Sequence, residues 1–325
     1  MAKAGAITNP DGVSDPNEWL ADILNVRFDE VLKFKEAALD PTSIEGIHDM
    51  RVAIRRLRSF LRDFSLVADK KLVAALRQPL KKLADRLGRV RDLDVFIEYL
   101  RELPAAPDEL VRLGIETIAN DHTERRRIAA ASLSRLLSER FLNELGERFK
   151  FSIESALLQP KLFSGANIRD EASRTLTGCL DEFVGLSPAL YRPFSAAKLH
   201  RLRIAGKHLR YAIELFDPAF DVSLGPFASG MKEMQKRLGD LHDCDVWIDQ
   251  LQPYTRPKPR KSGSAAKHAA AIWLIDRLVQ RRTKAYRNAL ELWSNWVTED
   301  FCDRLRQTVA PPGPSAKEPA SIGSE

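Results

Sequence analysis

Five side chains in the segment IHDMRVAIRRLRSFLRDF (residues 47–64) are of the type and spacing that hold an anion: His48, Arg51, Arg55, Arg58 and Arg62. An α-helix turns about 100° per residue, so these five fall within roughly one quadrant of its surface. Met50, Ile54, Leu57, Leu61 and Phe64 fall on the opposite side. The polar face holds no acid, although solvated helix faces usually mix signs because i,i+4 pairs of like charge weaken a helix. A guanidinium fork can take two phosphate oxygens at once, and a lysine acts as a mobile point charge. The chemistry such a stripe offers is capture of a polyanion; the plain alternative is a solvated basic surface with no ligand.

The stripe occurs twice. LHRLRIAGKHLRYAIELF (residues 199–216) aligns His200 with His48, Arg203 with Arg51, Lys207 with Arg55 and Arg210 with Arg58. A second block follows each stripe in the same order. LADRLGRVRDLDVFI, from Leu83, matches MQKRLGDLHDCDVWI, from Met234, so that Arg86, Leu87 and Gly88 repeat as Arg237, Leu238 and Gly239. Asp92 and Asp94 repeat as Asp243 and Asp245. Two blocks at nearly one offset argue for a duplicated unit. The halves differ, since Arg56 becomes His208, Arg62 becomes Glu214 and Arg89 becomes Asp240, which leaves the second half less basic.

Around the stripes, Lys81, Lys82, Arg86 and Arg89 follow helical spacing, as do Lys232, Lys236 and Arg237. Gly88 and Gly239 fit helix C-caps, with Asp92 and Asp243 capping the next helix or pairing with the basic side chains. Ligation of Mg²⁺ or Ca²⁺ by the Asp pairs needs further converging oxygens, which the sequence does not display. His48 and His200 lack an acidic partner one turn away. Each is read as a proton donor to a bound anion or as a histidine hydrogen-bonded within the fold. No catalytic residue, metal site or cofactor is expected: the chain has no P-loop, nucleophile elbow or paired-carboxylate motif.

The elements that must position these residues are helices. The chain has 325 residues, 44% of them hydrophobic, with 51 Lys+Arg against 45 Asp+Glu and a formal net charge of +6. Helix formers dominate, and β-branched runs are few. Helices are expected near 18–38, 43–64, 70–87, 93–103 and 108–137, and again near 169–184, 196–216, 223–238, 244–251 and 265–296. Residues 1–15 and 309–325 are expected to be disordered, and the basic stretch 253–264 to form a connector or a second anion-contacting strip. Cys179, Cys244 and Cys302 suggest neither a disulfide framework nor a zinc motif. No secretory signal and no run of about 18 apolar residues is seen, which points to the cytoplasm.

The two His-x-x-Arg-x-x-x-Arg/Lys-x-x-Arg helices, each followed by an LGxxxDxDV segment, resemble the CHAD family (conserved histidine α-helical domain) over roughly residues 19–305. The resemblance implies an all-α fold in which two pseudo-symmetric, duplicated helical bundles pack around a central basic cleft or pore. The domain would span 16–308, with a first repeat of about 17–160 and a second of about 166–307. It implies binding of inorganic polyphosphate and association with polyphosphate-containing granules or their proteins. His48, Arg51, Arg55 and Arg58 would line one side of the cleft, and His200, Arg203, Lys207 and Arg210 the other. Lys81, Lys82, Lys232 and Lys236 would add contacts from the following helices, with Arg89, Arg126 and Arg282 as further candidates. Many members carry a triphosphate tunnel hydrolase marked by Glu-x-Glu-x-Lys, and this chain has no Glu-x-Glu pair. The expectation is a non-enzymatic polyphosphate-binding module. The alternatives are a nucleic-acid backbone binder, disfavoured by the lack of aromatics among the basic stripes, and a histidine-dependent phosphatase or phosphotransferase.

Overall fold

A computed structural model of the chain describes residues 16–40, 43–64, 70–104, 106–157, 168–256 and 264–311. The expected disordered ends, apart from residues 309–311, and most of the basic stretch 253–264 lie outside these residues. The structure is all-helical, with no strand among the described residues. Eleven α-helices follow in order: α1 Pro16–Lys33, α2 Lys35–Leu39, α3 Ile44–Phe64, α4 Lys70–Arg101, α5 Glu109–Leu136, α6 Glu139–Leu157, α7 Ile168–Leu186, α8 Ala196–Phe216, α9 Gly225–Leu251, α10 Ser264–Thr298 and α11 Phe301–Val309. None is long and apolar enough to cross a membrane.

The helices follow from the apolar spacing of the sequence. On α3, Ile47, Met50, Ile54, Leu57 and Leu61 are buried, and on α8 Leu199, Leu202, Leu209, Ile213 and Phe216 are buried. Each such side chain contributes about 1.5–3 kcal/mol through removal from water. α5 starts where expected because the Asp108 carboxylate accepts the Val111 amide at 2.9 Å, satisfying one of the donors that a helix N-terminus leaves open.

Two expected breaks do not occur. α4 and α9 each run unbroken through Gly88 and Gly239, so neither glycine is a C-cap and neither Asp92 nor Asp243 is an N-cap. Both glycines sit in helical backbone with open space where a side chain would be. Continuing the helix keeps every i→i−4 backbone bond and costs only about 1 kcal/mol per glycine relative to alanine. Conversely, the single helix expected over 18–38 is interrupted at Phe34, which separates α1 from α2.

Six helices pack edge to edge in a closed ring: α3 on α4, α4 on α5, α5 on α10, α10 on α9, α9 on α8, and α8 back on α3. α1 and α2 buttress α3, and α7 buttresses α8. One hydrophobic core joins most of these helices. A second, around Phe96, Ile118, Trp247, Leu251 and Leu274, locks α4, α5, α9 and α10 together. In it Phe96 meets Trp247, its counterpart in the repeat, at a ring separation of 5.5 Å.

α5 crosses α10 closely at Gly114, where a Cβ would run into the carbonyl of Ala266 and the side chain of Ala270. The obstacle is backbone, so it cannot rotate away. Gly114→Ala is expected to lower the unfolding free energy by about 2–3 kcal/mol, read as a shift of the urea midpoint. An unchanged midpoint would show that the crossing is looser than described.

Candidate functional site: a cleft lined by arginines

Inside the ring lies an open cleft of about 1280 Å³. Among the described residues its wall carries ten arginines and two lysines against two acids, Asp85 and Asp92. α3 supplies Arg51, Arg55, Arg58 and Arg62, each one turn from the next, as the apolar face opposite them requires. α8 supplies Arg203, Lys207 and His208 from the other side, because the two stripe helices pack directly against each other. α4 adds Arg77, Lys81, Arg86 and Arg89, and α5 adds Arg125 and Arg135.

The deep part of the wall is electrostatically uncompensated. Nε of Arg55 and Nε of Arg203 are buried with no hydrogen-bond partner, as are the Tyr211 hydroxyl and Nδ1 of His208. A buried donor without an acceptor costs about 1–3 kcal/mol, more when it is charged. Burial lowers the pKa of Arg55, Tyr211 opposes this, and Arg51, Arg210 and Arg56 lower it further. Arg203 is lowered by burial and by Arg51 and Arg55, with Asp243 and Asp92 opposing. Lys207 is pushed down to about 6, first by burial and then by Arg203, Arg55 and Arg51, with Asp243 again opposing. Burial, Arg62, Lys207 and Arg58 hold His208 down to about 4. An anion placed here supplies both the missing acceptors and the missing charge.

Around this wall the repeated residues make matching contacts. Arg126 donates through Nε to Asp94 Oδ1 at 2.8 Å, and Arg282 does the same to Asp245 Oδ1 at 2.5 Å. Arg86 donates to the Ser132 hydroxyl on α5, and Arg237 to the Asn288 carbonyl on α10. Arg51 donates directly to Asp92 Oδ1 at 3.1 Å in an exposed ion pair. The aspartates therefore hold arginines in place. Among the described residues no three His, Cys, Asp or Glu side chains gather as a metal site.

The family model described as the CHAD domain matches residues 22–252. The chain belongs to the CHAD-domain family. The family is generally linked to polyphosphate binding. The chain is 31% identical over 245 residues to Rv2226 of Mycobacterium tuberculosis (strain ATCC 25618 / H37Rv) and 30% identical to MT2285 of the CDC 1551 / Oshkosh strain, both named as uncharacterized proteins. Each alignment takes in 74% of this chain and 46% of the relative, so the chain spans about half the length of the curated relatives it matches. A crystal structure of the CHAD domain from the plant Ricinus communis shares the fold, with a TM-score of 0.64 at 21% identity, over 95% of this chain and 96% of that one. PptA from Streptomyces chartreusis gives the same TM-score at 18% identity, over 86% and 100% of the respective chains.

Within this CHAD domain the residues singled out from sequence divide into two groups. Arg51, Arg55, Arg58, Lys81, Arg89, Arg203 and Lys207 meet on the cleft. Lys82, Lys232 and Lys236 are exposed and do not line it. Arg126 and Arg282 are held by their aspartates. Arg210 donates to Gln235 Oε1 at 3.0 Å and to Glu214 Oε1 at 2.7 Å, and Gln235 in turn donates to the Gly206 carbonyl. The second half thus neutralises its own stripe at the place where the first half leaves Arg58 and Arg62 on the cleft.

His48 and His200 also lie off the lining. Burial, Arg91 and Arg55 lower His48, with Glu45 and Asp49 opposing. His200 lies against His242, their rings tilted at 47° with centroids 4.4 Å apart and their Nδ1 atoms 3.3 Å apart. Burial, Arg203 and Lys207 lower its pKa.

Sequence reasoning did not select Arg77, Arg125, Arg135, Tyr211 or Gln250 for this cleft. Arg77 continues the Lys81 stripe one turn earlier, a legible signal. Arg125 and Arg135 share a face of α5 that only the packing of α5 on α4 turns inward.

Proposed function

We propose that this CHAD domain is a non-enzymatic module that binds inorganic polyphosphate in the ring cleft. The observation that carries the reading is the pair of half-buried arginines, Arg55 and Arg203, whose buried Nε atoms have no acceptor, on a wall that among the described residues holds a dozen basic side chains and two acids. Linear polyphosphate offers one negative charge per internal phosphate and no bases to read, which suits a wall of forks and point charges spaced about 5–6 Å apart along a helix. The two halves act as pseudo-symmetric copies whose mates Phe96 and Trp247 touch. The domain spans about 16–308, and the grip falls mainly on the first half and on Arg203 and Lys207. In the cell such a module rides on polyphosphate-containing granules in the cytoplasm, a placement that fluorescence localisation during phosphate-rich growth would check.

Calorimetric titration of long-chain polyphosphate at physiological salt tests the site. The quadruple alanine variant at Arg51, Arg55, Arg203 and Lys207 is expected to lose binding. Lys232→Ala with Lys236→Ala is expected to change affinity by less than about threefold, because exposed charges contribute about 0–1 kcal/mol. Affinity should fall steeply with added salt, by the counterion release known for nucleic acids. Equal binding by wild type and the quadruple variant would falsify the site. Displacement of polyphosphate by RNA or DNA at equal phosphate concentration would favour a nucleic-acid binder, and phosphate release from labelled polyphosphate would make the protein an enzyme.

A further inference from the structure

Lys207 occupies a position unlike that of any other cation on the cleft. It stands one turn beyond Arg203 on α8 and lines the same cleft as Arg51 and Arg55 of α3, the helix packed against α8. On its own helix His200 and His208 lie two turns and one residue away. From α9, His242 and Asp243 face the same spot. From α7, the Phe183 ring closes on this stretch of α8 beside Gly206. The short 3-10 turns 187–191 and 217–219 meet α8 at its ends, where Asp217 accepts from Leu224 and Ser223. Lys207 makes no hydrogen bond or ion pair among the described residues. Its repeat mate is Arg55, so one of the paired stripes holds a lysine where the other holds an arginine.

We propose that Lys207 is the proton-accepting residue of the cleft: it stands neutral between the arginines when the cleft is empty and takes up a proton as an anionic chain enters. The inference deepens the polyphosphate reading and rests on it. An amine that is half-buried, lies among guanidinium groups, has no ion-pair partner and is opposed chiefly by Asp243 gains by being uncharged, because neighbouring like charges and partial desolvation both disfavour the ammonium. A phosphate group beside it reverses that balance, since an opposite charge favours the ammonium. Its pKa of about 6 in the empty cleft agrees with this geometry.

The sign follows from linkage. Binding raises the lysine pKa, so affinity is fully developed below the empty-cleft value and falls as pH rises above it. Uptake of one proton corresponds to tenfold in affinity per pH unit. Internal phosphates of a long chain stay ionised throughout this range, so the dependence belongs to the protein.

The test is titration of wild type, Lys207→Arg and Lys207→Gln with long-chain polyphosphate between pH 5.5 and 8.5, in buffers of different ionisation enthalpy. Wild type should take up close to one proton at pH 7.5, and its affinity should fall roughly tenfold between pH 7 and pH 8. Lys207→Arg should bind with little pH dependence and no uptake, and Lys207→Gln should bind weakly at every pH. Binding by wild type without proton uptake overturns the proposal and leaves the polyphosphate reading standing. Uptake retained in Lys207→Arg moves the proton to His200, His208 or His242 and overturns it as well. No binding by wild type at any pH overturns both readings.

Discussion

Replacing Arg55 and Arg203 together by methionine is expected to give a protein that melts about 1–2 °C higher and binds long-chain polyphosphate at least about 100-fold more weakly. The two effects have one cause. Each side chain carries a charge into a half-buried wall where its Nε finds no acceptor; Arg51 further destabilises both, and Arg55 further destabilises Arg203. Buried ions keep a net penalty of several kcal/mol unless paired. Methionine retains the unbranched apolar stem and removes the charge. A gain of about 1 kcal/mol translates into the stated rise for a chain of this size. The loss of affinity follows from two charge-assisted hydrogen bonds at about 1.5–3 kcal/mol each, with about 1.4 kcal/mol per tenfold. Scanning calorimetry with titration calorimetry on the same preparation decides it. A lower melting temperature with unchanged binding would show that these arginines hold the fold together and do not serve a ligand.

Asp94→Ala should have the opposite character, unfolding the protein more easily with little direct effect on the cleft. The Asp94 side chain is 4% exposed and its partner Arg126 is 16% exposed. Removing the carboxylate takes from the half-buried Arg126 guanidinium its buried counter-charge, which costs about 3 kcal/mol at the low end of the measured range. The melting temperature should fall by roughly 4–5 °C. In the second half Arg282 donates both to Asp245 and to the Pro193 carbonyl, the latter at 2.7 Å. Replacing both Asp94 and Arg126 by leucine should recover most of the loss, since the penalty belongs to the charge deprived of its carboxylate. If the double variant is as unstable as Asp94→Ala, the pair contributes in some other way.

The all-helical fold and the two basic stripes were readable from the chain because both depend on local order. The 3.6-residue spacing that buries Met50, Ile54 and Leu57 leaves Arg51, Arg55 and Arg58 on the other side whatever α3 packs against. The same reasoning misjudged α4 and α9. A glycine followed by aspartates reads as a cap and a new start, but tertiary packing along both sides of each helix outweighed the modest cost of a helical glycine. Local signals also could not separate a cation that meets ligand from one that meets protein. Arg210 and Arg58 occupy equivalent places in the repeat, yet Gln235 and Glu214 engage the first while the second lines the cleft.

Periodicity alone thus determined that this chain folds into helices and that two of them carry facing-type cationic stripes in a repeated order. Only the tertiary structure decided that the stripes look at each other, that α4 and α5 extend the positive wall, and that Arg126, Arg210 and Arg282 are committed to protein partners. The physical reason is range. Helical spacing is set by neighbours three or four residues away, whereas the field at Lys207 is the sum over charges contributed by α3, α8 and α9, segments separated by as much as some 190 residues in the chain and brought together only when the ring closes.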